Sequence, residues 1–401
     1  MQYITISIPS SNIISDRTLS EIYKTTIERC SLIRTSFQIV ASGKSYGQIA
    51  TKALDNNSFN DIMKGGRNED LTWSIRLRRY GPMQMVENKS NSKRSQRQAR
   101  YGKNVRSPLR DERKAILEMK ELVQTFAGKV DLTDPQCRIY LLEGLRDCNL
   151  LSGDKDDKLL ARVVAKGPKT SIYRPNTRIC VTTTPLCPLA SFTLCNIAQI
   201  HRRGNCTILD PFAGSCATLL AAAHITTLPT ISSISNASTT QQSSQRGCQS
   251  VAIEIAHNGY VNRDDIIKDF ETRSLPPPVD IIRGDCTLSE IRHQARLAIG
   301  GGAFDFIVTD PPYGIREAMS SGEESNLGEG STETISPLTQ LFYAMGQDIS
   351  NGTPLLKQGG RLVAFIPVQK GQSLEDCLPD SNARDAAHLV MEGEGKEQVL
   401  R

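Results

Sequence analysis

The chain has 401 residues, 38% of them hydrophobic, with 48 Lys and Arg against 43 Asp and Glu and a formal net charge of +5. That length and apolar content call for two domains, each with its own core. No basic stretch followed by an apolar run opens the sequence, and no run approaches the thickness of a bilayer. A secreted or membrane-spanning protein is therefore not expected, and a cytoplasmic one is.

Eleven cysteines and five histidines are scattered singly, with no C-x-x-C pair. That spacing argues against a disulfide framework and against a structural metal site. Cys180, Cys187 and Cys195 are expected as small core residues. Charge is divided unevenly. Residues 1–180 carry 32 Lys and Arg against 19 Asp and Glu, and residues 181–401 carry 16 against 24. The basic half suits a polyanionic partner or simply a solvated surface, and the acidic half suits a small cationic or neutral ligand.

In the first half, alternation over residues 3–8 predicts a strand, and Ser15 or Asp16 caps a helix carrying Leu19, Ile22, Tyr23, Ile27 and Cys30. Leu32 to Val40 reads as a strand. Ser45 opens a second helix with Tyr46, Ile49, Ala50, Ala53 and Leu54 on its inner face. Trp73 to Tyr80 alternates Trp73, Ile75 and Leu77 against Arg76 and Arg78, a face open to phosphate or to solvent. Residues 83–107 are basic and polar with almost no apolar content, which predicts a mobile arm: either an RNA-attracting segment or a solvated insertion. Ser107-Pro108 starts a helix with Ile116, Met119, Leu122, Val123 and Phe126 inward, ended by Gly128. Strands follow at Arg138–Leu142 and Leu159–Ala165. The first half thus reads as α+β.

From Thr207 the pattern changes. Short β-rich runs at Ile208–Asp210, Val251–Glu254, Asp280–Ile282, Phe304–Asp310 and Leu362–Pro367 alternate with helical stretches at 216–224, 257–270, 288–298 and 335–350. This predicts a doubly wound parallel sheet. Asp210, Glu254, Asp285 and Asp310 close four of the five strands, and ligands of such sheets collect at that edge. Residues 226–250 and 318–334 read as loops, the second either a lid or an idle insertion.

Asp210-Pro211-Phe212-Ala213-Gly214-Ser215 joins the first of these strands to its helix. It is neither a dinucleotide fingerprint nor a phosphate loop. Glu254 is placed to accept from ribose hydroxyls and Asp285 from an adenine amine, so a nucleoside bound without its phosphates is expected: S-adenosyl-L-methionine. In Thr309-Asp310-Pro311-Pro312-Tyr313-Gly314-Ile315-Arg316-Glu317, two prolines remove donors and leave carbonyls beside a carboxylate, and Tyr313 offers a flat face. Such a loop suits a planar, amine-bearing ring. The plainer reading is a turn that closes a strand.

Asp-Pro-Phe-x-Gly-Ser, a second-strand acid, Gly-Asp and Asp-Pro-Pro-Tyr, in that order, resemble amino-methyltransferases of nucleic-acid bases. The longer string Thr309–Glu317, with Gly128-Lys129-Val130-Asp131-Leu132 and Asp134-Pro135, resembles the tRNA (guanine-10-N2)-methyltransferase catalytic subunit family. Weaker matches are Leu32-Ile33-Arg34, Gly43-Lys44-Ser45-Tyr46, Thr184, Phe192 and Asn196. The resemblance implies a THUMP-related α+β RNA-binding region at 1–170, with the basic insertion at 83–107. It implies a Rossmann-like S-adenosylmethionine-dependent methyltransferase domain at 171–401. By position Asp210, Phe212, Gly214, Glu254, Asp285 and Thr184 would hold the cofactor, and Asp310, Pro311, Pro312 and Tyr313 the target base.

The partners implied are tRNA and a small zinc-binding activator subunit. Cys216 stands where the family has Gly or Ala. The chain is also expected to carry a shortened THUMP region and, ending at Arg401, to lack the sheet's last strand pair, leaving an edge unpaired. Two alternatives share the loop or its remnants: an adenine-N6 or cytosine-N4 nucleic-acid methyltransferase, and an inactive RNA-binding scaffold subunit. A protein-glutamine methyltransferase does not call for so basic a front half.

Overall fold

In the computed structural model the structure describes residues 16–79, 109–144, 158–182, 185–202, 205–228, 248–255, 261–312, 336–366, 368, 373 and 377–391. The strand read at 3–8, the Ser15 cap, the basic stretch 83–107, the Ser107-Pro108 helix start and the loop 318–334 lie outside the described residues. So do Thr184, Tyr313, Pro367, residues 229–247 of the first loop and residues 257–260 of the second helical stretch. The chain forms two compact units. One comprises residues up to Ile27 and Ile33–Lys166, the other Glu28–Leu32 and everything from Gly167 onward.

The first unit contains α1 (Asp16–Arg29), β1 (Thr35–Gly43), α2 (Tyr46–Asp55), β2 (Trp73–Arg79), α3 (Leu109–Glu118), α4 (Lys120–Val123), β3 (Cys137–Glu143) and β4 (Lys158–Lys166). Its sheet has the order β1-β4-β3-β2, with β2 and β3 parallel and the other pairs antiparallel. Ser45 caps α2 by accepting from the Gln48 amide, a contact that stabilises a helix by about 1 kcal/mol. Ile49, Ala53, Phe59, Ile75, Leu77, Met119, Leu122, Ile139 and Leu160 share one core on this helix-covered face.

Three expectations need correcting here. β1 begins at Thr35 because Leu32 sits in a turn, 65% exposed. The long helix breaks at Met119 and is over by Val123. Gly128 therefore ends no helix; a Cβ there would lie 2.0 Å from the Leu71 carbonyl oxygen, and that close approach is what requires glycine. The arginines of β2 are also committed within the unit. Arg76 pairs with Glu112 at 3.0 Å, and the Arg78 guanidinium lies 4.3 Å from the Tyr140 ring centroid.

The second unit contains α5 (Pro188–Ile197), β5 (Thr207–Asp210), α6 (Ala217–Thr227), β6 (Gln249–Glu254), α7 (Arg263–Glu271), β7 (Asp280–Arg283), α8 (Ser289–Ala298), β8 (Phe304–Thr309), α9 (Pro337–Ser350), β9 (Leu356–Ala364) and α10 (Ser381–Ala386). Every strand pair is parallel, in the order β7-β6-β5-β8-β9. One core holds residues of α5, α6 and α7, the other residues of α8, α9 and α10. Helices thus cover both faces, which is why the strands read as continuous apolar runs. The doubly wound parallel sheet expected from the sequence is what is found.

Strand order reverses between β5 and β8, and in sheets of this kind ligands collect at the carboxyl edge of such a switch point. β9 is longer than expected and is an edge strand among the described residues, with a register shift opposite Phe304 and Phe306. No helix among the described residues is long and apolar enough to cross a membrane. Of the three cysteines expected in the core, Cys180 and Cys195 are buried, but Cys187 is exposed at the start of α5.

Candidate active site

Asp210 closes β5 and is 1% exposed. Its Oδ1 accepts from the Phe212 amide at 3.2 Å and from the Thr309 hydroxyl at 2.7 Å. Thr309 ends β8, so this single carboxylate ties the loop after β5 to the Asp-Pro-Pro loop after β8 across the switch point. Burial pushes the Asp210 carboxyl up to about 7, opposed by its two hydrogen bonds and assisted by the negative charges of Asp310 and Glu254. Those charges are felt at Asp210 only because the ends of β5, β6 and β8 converge. The third acid belongs to the same edge, since Asp285 follows the end of β7, which pairs in parallel with β6.

The loop between Asp210 and α6 has two left-handed residues, Gly214 with φ +51° and Cys216 with φ +61°. Glycine adopts that conformation freely, whereas at Cys216 it costs on the order of 1–2 kcal/mol. The Cys216 side chain is fully buried in the core. The Gly214 amide donates to Glu254 Oε2 at 2.6 Å, and the Ala213 amide donates to the Ile253 carbonyl at 3.0 Å. Asp285 Oδ1 accepts both the amide and the hydroxyl of Thr287, at 2.8 and 2.7 Å. Asp310 is half-buried and Pro311 buried.

The arrangement disfavours phosphate. Loop amides that would cradle a pyrophosphate are turned to carboxylates, and the surrounding edge is acidic. It fits a ligand that is cationic and carries a nucleoside, and S-adenosylmethionine meets both requirements.

Sequence reasoning missed five residues near the site. Thr309 has no role that its spacing reveals. Arg178 and Asp269 form a buried ion pair at 3.2 Å from distant segments. Ile255 directly follows Glu254 and Leu288 lies three residues past Asp285; the two are 41% and 46% exposed.

A parallel sheet wound on both sides of a switch point, with acids at its carboxyl edge, places the second unit among Rossmann-like folds. No family model matches the chain. It is 27% identical over 273 residues to the Mus musculus tRNA (guanine(10)-N(2))-methyltransferase TRMT11, covering 63% of this chain and 54% of that protein. It is 26% identical over 276 residues to the Homo sapiens protein of the same name, with the same coverage. The chain therefore spans about half the length of the curated relatives it matches, and those relatives carry the name of the family its motifs resemble. Among solved structures it is similar to TrmN from Thermus thermophilus, at 16% identity and a TM-score of 0.37, covering 89% of this chain and 76% of that one.

Proposed function

We propose that the chain is the S-adenosylmethionine-dependent catalytic part of a tRNA guanine-N2 methyltransferase acting at position 10. The observation that carries this reading is the 2.7 Å hydrogen bond from Thr309, the last residue of β8 and the neighbour of Asp310, to Asp210 at the end of β5, which joins the Asp-Pro-Pro loop to the loop after β5. The Glu254 carboxylate would accept from the ribose hydroxyls and Asp285 from the adenine amine. Asp210, Phe212 and Gly214 shape the loop for the amino-acid end, and Thr184 adds a contact beside it. When bound, S-adenosylmethionine supplies a methyl group activated on a sulfonium.

The exocyclic amine of guanine is a poor nucleophile because its lone pair is delocalised into the ring. The Asp310 carboxylate and the Pro311 carbonyl each accept one of its N–H groups, which turns the lone pair out of conjugation. Pro312 holds the loop, and Tyr313 stacks on a base turned out of its helix. No strong base has to act first, since the proton becomes acidic only as the new bond forms. Holding the reactants in line contributes on the order of 7–11 kcal/mol of rate acceleration in reactions of this kind.

The first unit, with the basic stretch 83–107, is proposed as a THUMP-related region that meets tRNA. The small zinc-binding activator is proposed as the partner subunit, in the cytoplasm. The test is incubation of the full chain with unmodified tRNA and cofactor, with and without the activator, followed by nucleoside mass spectrometry and mapping. N2-methylguanosine at position 10 is the expected product. N6-methyladenosine or N4-methylcytidine instead would assign the chain to the other base amines, and no methylation under either condition would favour a scaffold.

A further inference from the structure

The loop between β5 and α6 is held from outside as well as by its own acids. Arg178 lies in the segment that precedes α5, and three directions of its guanidinium are in use. Nη1 donates to Ser215 Oγ at 3.1 Å, Nη2 donates to the Ser215 main-chain oxygen, and Nε donates to Asp269 Oδ2 at 3.2 Å. Ser215 is the residue between the two left-handed positions. Asp269 sits on α7, and the pair is sealed from solvent, with side chains 2% and 0% exposed. The same carboxylate accepts the amides of Ile179 at 2.7 Å and Cys180 at 3.1 Å, and an Arg273 nitrogen at 3.1 Å. The segment so anchored runs against the loop itself, since a Cβ on Gly214 would lie 3.5 Å from Thr182 Cγ2.

A left-handed cysteine relaxes toward ordinary backbone unless its surroundings fix it. The carbonyl and the hydroxyl of the preceding residue are the two handles through which Arg178 fixes it. A planar fork can serve both handles and a carboxylate at once, whereas a lysine ammonium is a single donor point and cannot span them. Asp269 keeps three donors without Arg178, so a lysine there does not leave a bare buried charge.

We infer that Arg178, anchored on Asp269, is a positioning residue that sets the Gly214–Cys216 loop for the S-adenosyl ligand. The inference rests on the cofactor reading proposed above. A pair that only joins two elements would change stability and leave ligand affinity alone.

Two variants of the full chain separate these roles. Arg178→Lys removes the fork, and Ser215→Ala removes only the hydroxyl handle. Each is titrated calorimetrically with S-adenosylhomocysteine, and hydrogen exchange is followed in the peptide spanning residues 211–217. Arg178→Lys is expected to weaken binding about tenfold or more and Ser215→Ala roughly two- to fivefold, the scale of losing charge-assisted hydrogen bonds. Exchange at amides 214–216 is expected to quicken in both. Turnover should show a raised KM for the cofactor with kcat changed by less than about threefold, the pattern of lost uniform binding.

Unchanged affinity in a folded Arg178→Lys protein, or a fallen kcat at unchanged KM, would overturn the inference. If Arg178→Lys fails to fold, unchanged binding and exchange in Ser215→Ala overturn it alone. A wild-type chain that binds no S-adenosylhomocysteine defeats the cofactor reading and this inference together. Wild-type binding that neither variant alters defeats only the inference.

Discussion

Replacing Asp310 with alanine is expected to abolish methyl transfer, by at least about 10²–10³-fold, while cofactor affinity changes little. The magnitude follows from removing one preorganised hydrogen-bonding group aimed at the reacting centre. The selectivity follows from position. Asp310 follows β8, on the far side of the switch point from Glu254 and Asp285, which end β6 and follow β7. Its partner in the proposed reaction is the base amine, and its neighbour Thr309 bonds to Asp210 in the cofactor loop. Asp310→Asn keeps one acceptor and is expected to retain a measurable fraction of activity. Single-turnover methylation alongside calorimetric titration checks both statements, and near-normal turnover by the alanine variant would remove Asp310 from the mechanism.

The second large effect concerns Asp210, where stability and function pull in opposite directions. Its folded carboxyl is raised from 3.8 to about 7, chiefly by burial. Between those values the folded protein holds a proton that the unfolded chain has released. Stability is therefore greatest below about pH 4 as far as this group is concerned, and falls as pH rises through 7. Asp210→Asn keeps an acceptor for the Thr309 hydroxyl and the Phe212 amide but carries no charge to desolvate. It is expected to raise stability at pH 8 by on the order of 2–4 kcal/mol and to flatten the decline between pH 4 and 7.

The same change removes a negative charge from beneath the loop proposed to hold a cation, so affinity for S-adenosylmethionine is expected to fall about tenfold or more. Denaturant unfolding across pH, paired with cofactor titration, reads both effects. A variant no more stable than wild type at pH 8 would mean that the carboxylate is not the buried liability described here.

Much of the second unit was legible in the sequence because parallel strands buried on both faces leave short apolar runs. Of β9 the sequence shows only the last three residues, Leu362–Ala364; the expected run overshoots that end and misses the beginning. Lys357-Gln358-Gly359-Gly360 has the composition of a turn, yet it lies within the strand, where the register shift against β8 absorbs it. Gly360 belongs there because a Cβ would crowd the Lys357 and Asp305 carbonyls, at 2.8 and 3.0 Å. Helix α5 was missed because five of its ten residues are buried around the helix, which erases the amphipathic period.

At the site, the four acids were legible at the carboxyl edge, although only Asp210 and Glu254 end strands, while Asp285 and Asp310 lie in the loops after β7 and β8. Their partners were not. The Gly214–Glu254 bond spans 40 residues and the Asp210–Thr309 bond spans 99, and neither separation leaves a periodic trace. Two arginines with buried side chains illustrate the same limit. Arg178 and Arg292 pair with Asp269 and Asp348 from separate segments, while in the sequence they look like any solvated charge.

Calorimetric titration of the full chain with S-adenosylmethionine, before and after Glu254→Gln, tests most directly whether the acidic edge of the sheet is a nucleoside-sulfonium site. The amide substitution keeps an acceptor for the Gly214 N–H but gives up the charge and one of the two acceptors proposed for the ribose diol. The account predicts one site per chain in the wild type and binding at least about tenfold weaker in the variant. No binding by the wild type, or equal binding by the two, would contradict it.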